Sequence, residues 1–233
     1  MFDNIRPLYD SELPEALQTI TASPIFAPIA QYVYPGEETD SVAARIRKLN
    51  DIYTLQETVM KDAFRRIIDD SITDFTYTGI DHLSKGHPYL FISNHRDIVL
   101  DAALLSEMMV DLGFDNTVEM CVGDNLMTVP WIRTLIRLNK GIVVKRGISM
   151  REQLLASREL SNYLHFAITQ KHESIWIAQR QGRAKDSSDL TQESIIKMFC
   201  MGGEGTPRER LHELNIVPLT ISYEFDPCDF LKA

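Results

Sequence analysis

Phe91-Ile-Ser-Asn-His-Arg-Asp-Ile-Val-Leu-Asp101 joins a short apolar run to a dense polar cluster. Tyr89 to Ile92 has the length and character of a buried strand. Ser93-Asn94-His95-Arg96-Asp97 is too polar for a core. An apolar, helix-periodic segment follows, carried by Ile98, Leu100, Ala102, Leu104, Leu105 and Met108. A strand that ends in a polar turn and feeds a helix is where α/β proteins gather ligand-binding and reactive groups. Here that turn holds one histidine and two aspartates that can serve it, Asp97 and Asp101.

The alternation continues downstream. Strand-like runs recur at Thr117–Val122, Lys140–Lys145, Ser174–Ala178 and Ile216–Tyr223, the last interrupted by Pro218. Helical patterns separate them at Pro130–Leu138, Met150–Gln170, Thr191–Met201 and Arg208–Leu214. This order predicts an α/β fold with a mixed, largely parallel central sheet flanked by helices. Upstream, a short helix is expected near Ser11–Thr19, with Ser11 as its cap. Pro24, Pro28, Pro35 and Gly36 then break the chain. A stripe of Val42, Ile46, Leu49, Ile52, Leu55, Val59, Ala63 and Ile67 predicts one long helix, capped by Ser41, to about Asp70. Phe75-Thr-Tyr-Thr78 is expected to be a strand. The predicted organisation is an N-terminal helical cap over residues 1–73 and an α/β domain over residues 74–233. The strand-like run near the C-terminus stops abruptly, so the natural chain is expected to continue past Ala233.

Composition narrows the partners. The 233 residues carry a net charge of −9, which disfavours nonspecific nucleic-acid binding. Against that background Lys140, Lys145, Arg146, Arg151, Arg180, Arg183 and Lys185 form a local basic excess. Such an excess in an acidic chain suits a small anionic ligand. Three scattered cysteines, Cys121, Cys200 and Cys228, are expected to be thiols of a reducing cytoplasm. No apolar run reaches the ~18 residues of a membrane span. Acidic residues from Asp3 onward argue against a signal peptide.

Three polar loops follow three buried strands: Ser93–Asp101, Lys145-Arg146-Gly147 and Gln179–Asp186. In an open α/β sheet such loops share one crevice. The first offers a histidine with a carboxylate, a general-base pair. The others offer Lys145, Arg146, Arg180, Arg183 and Lys185 as phosphate ligands, with Gly182 allowing close backbone approach. No Gly-x-Ser-x-Gly elbow supplies a nucleophile. Activation of a substrate hydroxyl by His95 is the chemistry these groups predict. A metal reading of His95, Asp97 and Asp101, as in a phosphohydrolase, lacks a second ligand cluster in the other loops. The protein-kinase catalytic loop also contains His-Arg-Asp, but Ala102 stands where its asparagine belongs and no Gly-rich loop precedes it.

Asn94-His95 followed by Asp101 resembles the Asn-His-x4-Asp signature of glycerolipid acyltransferases, the glycerol-3-phosphate and lysophosphatidate acyltransferases. Gly141-Ile-Val-Val-Lys-Arg146 is similar to the second block of that family. Ile175-Trp-Ile-Ala-Gln-Arg-Gln-Gly-Arg-Ala-Lys185 is similar to the third, and Ile216-Val-Pro-Leu-Thr-Ile221 to the fourth. The resemblance implies transfer of an acyl group from acyl-CoA or acyl carrier protein to a glycerophosphate or lysophospholipid hydroxyl. His95 is then the base, Asp101 or Asp97 its partner, and the later basic residues hold phosphate. No cofactor or metal is implied, and a silent lipid- or acyl-carrier-binding protein is the alternative. The amphiphilic substrates imply a cytoplasmic protein with peripheral membrane contact, docked through its N-terminal helices. Two departures stand out. Five residues separate His95 from Asp101 where the family has four, and Gln181 replaces the usual glutamate of the third block.

Overall fold

The computed structural model describes residues 1–180, 182–183, 190–225 and 227. In chain order its main elements are α1 (Leu13–Thr21), α2 (Phe26–Val33), α3 (Thr39–Ile46), α4 (Ile52–Leu55), α5 (Lys61–Ser71), β1 (Leu90–Ser93), α6 (Leu100–Asp111), β2 (Val118–Gly123), α7 (Pro130–Leu138), β3 (Gly141–Val144), α8 (Met150–Phe166), β4 (Ser174–Ala178), α9 (Glu193–Phe199), α10 (Pro207–Glu213) and β5 (Ile216–Leu219). The strands form one parallel sheet in the order β3-β2-β4-β1-β5. The expected α/β architecture is therefore present. The chain divides into two compact units: Met1–Ile5, Lys85–Cys121 and Val144–Ala233 in one, Arg6–Ser84 and Val122–Val143 in the other.

In the first unit β1 lies between β4 and β5. Leu90 is in register with Ile175 on one side and Ile216 on the other, and Ser93 with Ala178 and Leu219. A strand paired on both sides and covered on both faces is largely apolar, as Leu90 and Phe91 are. Pro218 sits in β5, an edge strand, where a missing backbone donor is tolerated. Helix α6 buries Ala102, Ala103, Leu104, Leu105, Met108 and Met109, so it is core on most of its circumference. Gly202 lets the chain approach the α8 backbone. A Cβ there would stand 2.7 Å from the amide nitrogen of Asn162, while the Gly202 amide donates to Ser161 Oγ at 2.8 Å.

The second unit corrects several expectations. The stripe from Ser41 to Asp70 is not one helix. It is broken after Ile46, and Asp51 restarts it by accepting the Thr54 amide at 2.7 Å. Ser41 lies inside α3, whose cap is Glu38. Pro28 does not stop α2, because it falls in the first turn, where its missing N–H goes unused. Ser11 lies in a short 3-10 turn ahead of α1. Phe75-Thr-Tyr-Thr78 forms no strand; Phe75 and Tyr77 instead meet edge to face, with ring centroids 5.7 Å apart. The core gathers Leu13, Leu17, Val42, Ile46, Leu55 and Leu138.

Tyr34 gives this unit a pH signature. Burial and a 2.8 Å hydrogen bond to Asp62 push its phenol up to about 12. The folded state therefore keeps a proton that the unfolded chain loses near pH 10. Stability from this group is complete below pH 10 and declines as pH rises to about 12. Tyr34→Phe is expected to flatten the loss of stability across that window, by roughly 1 kcal/mol after solvent screening. Thermal melts of both proteins from pH 9 to 12 read it; parallel curves would refute it.

Candidate active site

The site grows from the C-terminal end of β1. Ser93 is fully buried. Its Oγ accepts the Trp176 indole N–H at 2.9 Å and donates to the Asn94 carbonyl at 2.7 Å. This ties the polar turn to β4, the neighbouring strand. Asn94 then reaches the chain beyond β5. Its Nδ2 donates to the Ile221 carbonyl at 2.7 Å, and its Oδ1 accepts the Ile221 amide at 2.8 Å.

His95 follows, with its side chain 14% exposed and its ring edge-on to Trp176 at 5.6 Å between centroids. Its Nδ1 lies 2.8 Å from Asp101 Oδ2. A carboxylate at that distance fixes the proton on Nδ1 and leaves the Nε2 lone pair for another partner. Asp101 is fully buried in the first turn of α6, where a negative charge meets the positive end of the helix dipole. Its Oδ2 also accepts the amides of Arg96 at 2.8 Å and Asp97 at 3.1 Å. Its Oδ1 accepts the Tyr223 hydroxyl at 3.0 Å.

Asp97 has a different task. Its Oδ1 accepts the amides of Val99 at 2.8 Å and Leu100 at 2.9 Å, capping the start of α6. The extra residue between His95 and Asp101 is absorbed in this capped turn. The carboxylate facing the ring is that of Asp101.

The described basic residues lie in loops that follow β3 and β4 of the same parallel sheet. The loop after β4 carries Arg180, Gly182 and Arg183, and it begins beside the His95 turn, since the Gln179 amide donates to the Ser93 carbonyl at 2.6 Å. Gly182 has φ 74°, a conformation that favours glycine. Lys145 and Arg146 follow β3 directly and are partly buried. Lys185, Gln181 and Cys228 lie outside the described residues. Burial, with the Glu119 carboxylate nearby, pushes the Cys121 thiol up, and the Arg146 guanidinium opposes this. Cys121 is thus a poor source of thiolate. Among the described residues, no group of three or more His, Cys, Asp or Glu side chains is placed to hold a metal ion. No helix among them is long and apolar enough to cross a membrane.

Sequence patterns missed two participants. Trp176 is buried, as a core residue is, but it also anchors Ser93 and lies against His95. Tyr223 carries no local signal, because its partner is 122 positions away.

Fold and site together define an α/β protein with a carboxylate-held histidine at the C-terminal edge of a parallel sheet. A family model described as Acyltransferase matches residues 74–195, more than half of the chain, and the chain belongs to that family. The matched span contains His95, Asp101 and the basic loops after β3 and β4, and it ends before Tyr223. Membership assigns the chain acyl transfer in lipid metabolism. No curated protein matches the chain in sequence.

Proposed function

We propose that this acyltransferase moves a fatty acyl group from acyl-CoA or acyl carrier protein to the hydroxyl of glycerol phosphate or lysophosphatidate. The observation that carries the reading is the 2.8 Å contact between His95 Nδ1 and the buried Asp101 carboxylate. His95 Nε2 takes the proton of the acceptor hydroxyl as its oxygen attacks the thioester carbonyl. The tetrahedral adduct collapses, the carbon–sulfur bond breaks, and the leaving thiolate takes the proton from the imidazolium. Asp101 holds the ring and stabilises that imidazolium.

The acceptor phosphate is assigned to the basic loops. Arg146 and Arg183 are the first choices, as guanidinium groups suited to bidentate contact, with Lys145, Arg180 and Lys185 as further candidates and Gly182 opening the backbone. Ile98 and Val99, 49% and 48% exposed three and four residues after His95, offer apolar surface to an acyl chain. The same reading has the enzyme working in the cytoplasm, in peripheral contact with the inner face of the membrane that holds its product.

Release of free thiol from acyl-CoA, followed with glycerol 3-phosphate, lysophosphatidate or glycerol as acceptor, tests the proposal. Phosphorylated acceptors are expected to react and glycerol to fail. Arg183→Ala is expected to raise the acceptor KM about tenfold with less change in kcat. Equal transfer to glycerol would remove the phosphate assignment. No transfer to any acceptor from either donor, with tight lysophospholipid binding, would instead establish a silent binding protein.

A further inference from the structure

The chain beyond β5 is held against the His95 turn at two points. Asn94 grips the main chain of Ile221 through both its amide oxygen and its amide nitrogen, at 2.8 and 2.7 Å. Two residues on, the Tyr223 hydroxyl donates to Asp101 Oδ1 at 3.0 Å. The other carboxylate oxygen is occupied by His95 Nδ1 and by the amides of Arg96 and Asp97. A carboxylate can rotate about its bond to Cβ and present either oxygen, at any tilt, to the imidazole. Contacts on one oxygen alone leave that rotation soft. A donor on the second oxygen, in a fully buried setting, fixes the plane.

We infer that Tyr223 is a positioning residue for the His95–Asp101 pair, presented to it by the Asn94 clamp on Ile221. The inference rests on the proposed role of His95 as base. The tyrosine does not touch the reacting atoms. It sets the orientation of the carboxylate, and it moderates that carboxylate's charge by donating a hydrogen bond to it. Asn94 therefore acts at a distance as well. Its side chain is bonded to the segment that carries the tyrosine.

Tyr223→Phe keeps the ring and removes the donor. It is expected to lower kcat about tenfold, with the acceptor KM within about twofold. Without the hydroxyl the carboxylate holds the imidazolium more tightly, so the acidic limb of the kcat/KM profile is expected to move up by about half a pH unit. Incorporation of 3-fluorotyrosine at 223 makes the hydroxyl a stronger donor at almost unchanged volume, and is expected to move the limb the opposite way. A lowered melting temperature with kcat and the limb unchanged would show Tyr223 to be a fastener only, and would overturn the inference. The 15N and 1H resonances of the His95 ring, assigned with His95→Gln, read the same contact without turnover. A shift of the Nδ1–H signal in Tyr223→Phe is expected, and an unchanged signal would overturn the inference. If the parent protein transfers no acyl group, the base assignment fails, while the spectra still decide whether Tyr223 acts on the pair.

Discussion

His95→Gln is expected to lower kcat by about 10³-fold or more, and Asp101→Asn by nearly as much, with little change in KM. In the proposed mechanism the histidine takes the hydroxyl proton, so its loss leaves only positioning of the two substrates. Asp101→Asn separates charge from architecture. The asparagine oxygen can take the place of Oδ2, where the Arg96 and Asp97 amides donate at 2.8 and 3.1 Å. The new NH₂ then faces the Tyr223 oxygen, which can accept. The fold survives, but nothing negative remains to stabilise the imidazolium. Asp101→Ala is a different experiment. It leaves buried donors without an acceptor, and is expected to cost about 3 kcal/mol of stability as well as turnover. Because the two residues act as a unit, the double variant His95→Gln/Asp101→Asn is expected to be no slower than His95→Gln alone. Thiol-release kinetics with thermal melts as a control measure all of this. Asp101→Asn retaining more than about a tenth of parental turnover would sink the general-base assignment.

Lys171→Met is expected to destabilise the protein by about 3 kcal/mol without touching the site. Glu119 is fully buried on β2 and accepts from Lys171 Nζ and, at 2.6 Å, from the Tyr163 hydroxyl. Lys171 is 25% exposed, so its own charge can return to water when the pair is broken. The carboxylate has no such route and loses its cationic partner in the interior. The triple variant Glu119→Leu/Tyr163→Phe/Lys171→Met removes the carboxylate together with its lysine and phenol partners and is expected to recover most of the loss. Urea denaturation of the parent, the single and the triple variant gives the comparison. A Lys171→Met protein within about 0.5 kcal/mol of the parent would show that the pair contributes no more than a surface bridge. Glu119 is in register with Ile175, one residue before the Trp176 that lies against His95. The triad thus belongs to the scaffold immediately behind the site.

What could be read from sequence follows from the range of the interactions involved. β4 and α7 fall on their expected bounds because a sharply bounded apolar run and a helix-starting proline are local signals. The pairing of His95 with an aspartate was legible for the same reason, since both lie in one turn. Which aspartate was not legible. Asp97 and Asp101 are both within reach, and the choice depends on which backbone amides each carboxylate collects. The long helix failed because periodicity reports the buried face and not chain continuity; the stripe survives across the break as Ile46 and Ile52, both in one core. Asp51 with Thr54 three residues on was the overlooked stop-and-start signal. Phe75–Thr78 had strand propensity but no ladder to join, and propensity alone does not make a strand. Tyr223 was beyond reach of any pattern, because its role exists only after the chain has returned to β1.

That return has a consequence for biogenesis. The strand that leads into His95 has both its neighbours far downstream, with Leu90 meeting Ile175 on one side and Ile216 on the other. Loop closures of this length must be made before their contacts repay them, which slows folding. The His95 turn is made well before the tyrosine that contacts it, which lies 122 positions beyond Asp101. A nascent chain that has passed Asp101 therefore carries both members of the pair but not the tyrosine that contacts Asp101 Oδ1. The contact between Tyr223 and Asp101 therefore forms only once residues 216–223 have been made and have docked beside β1.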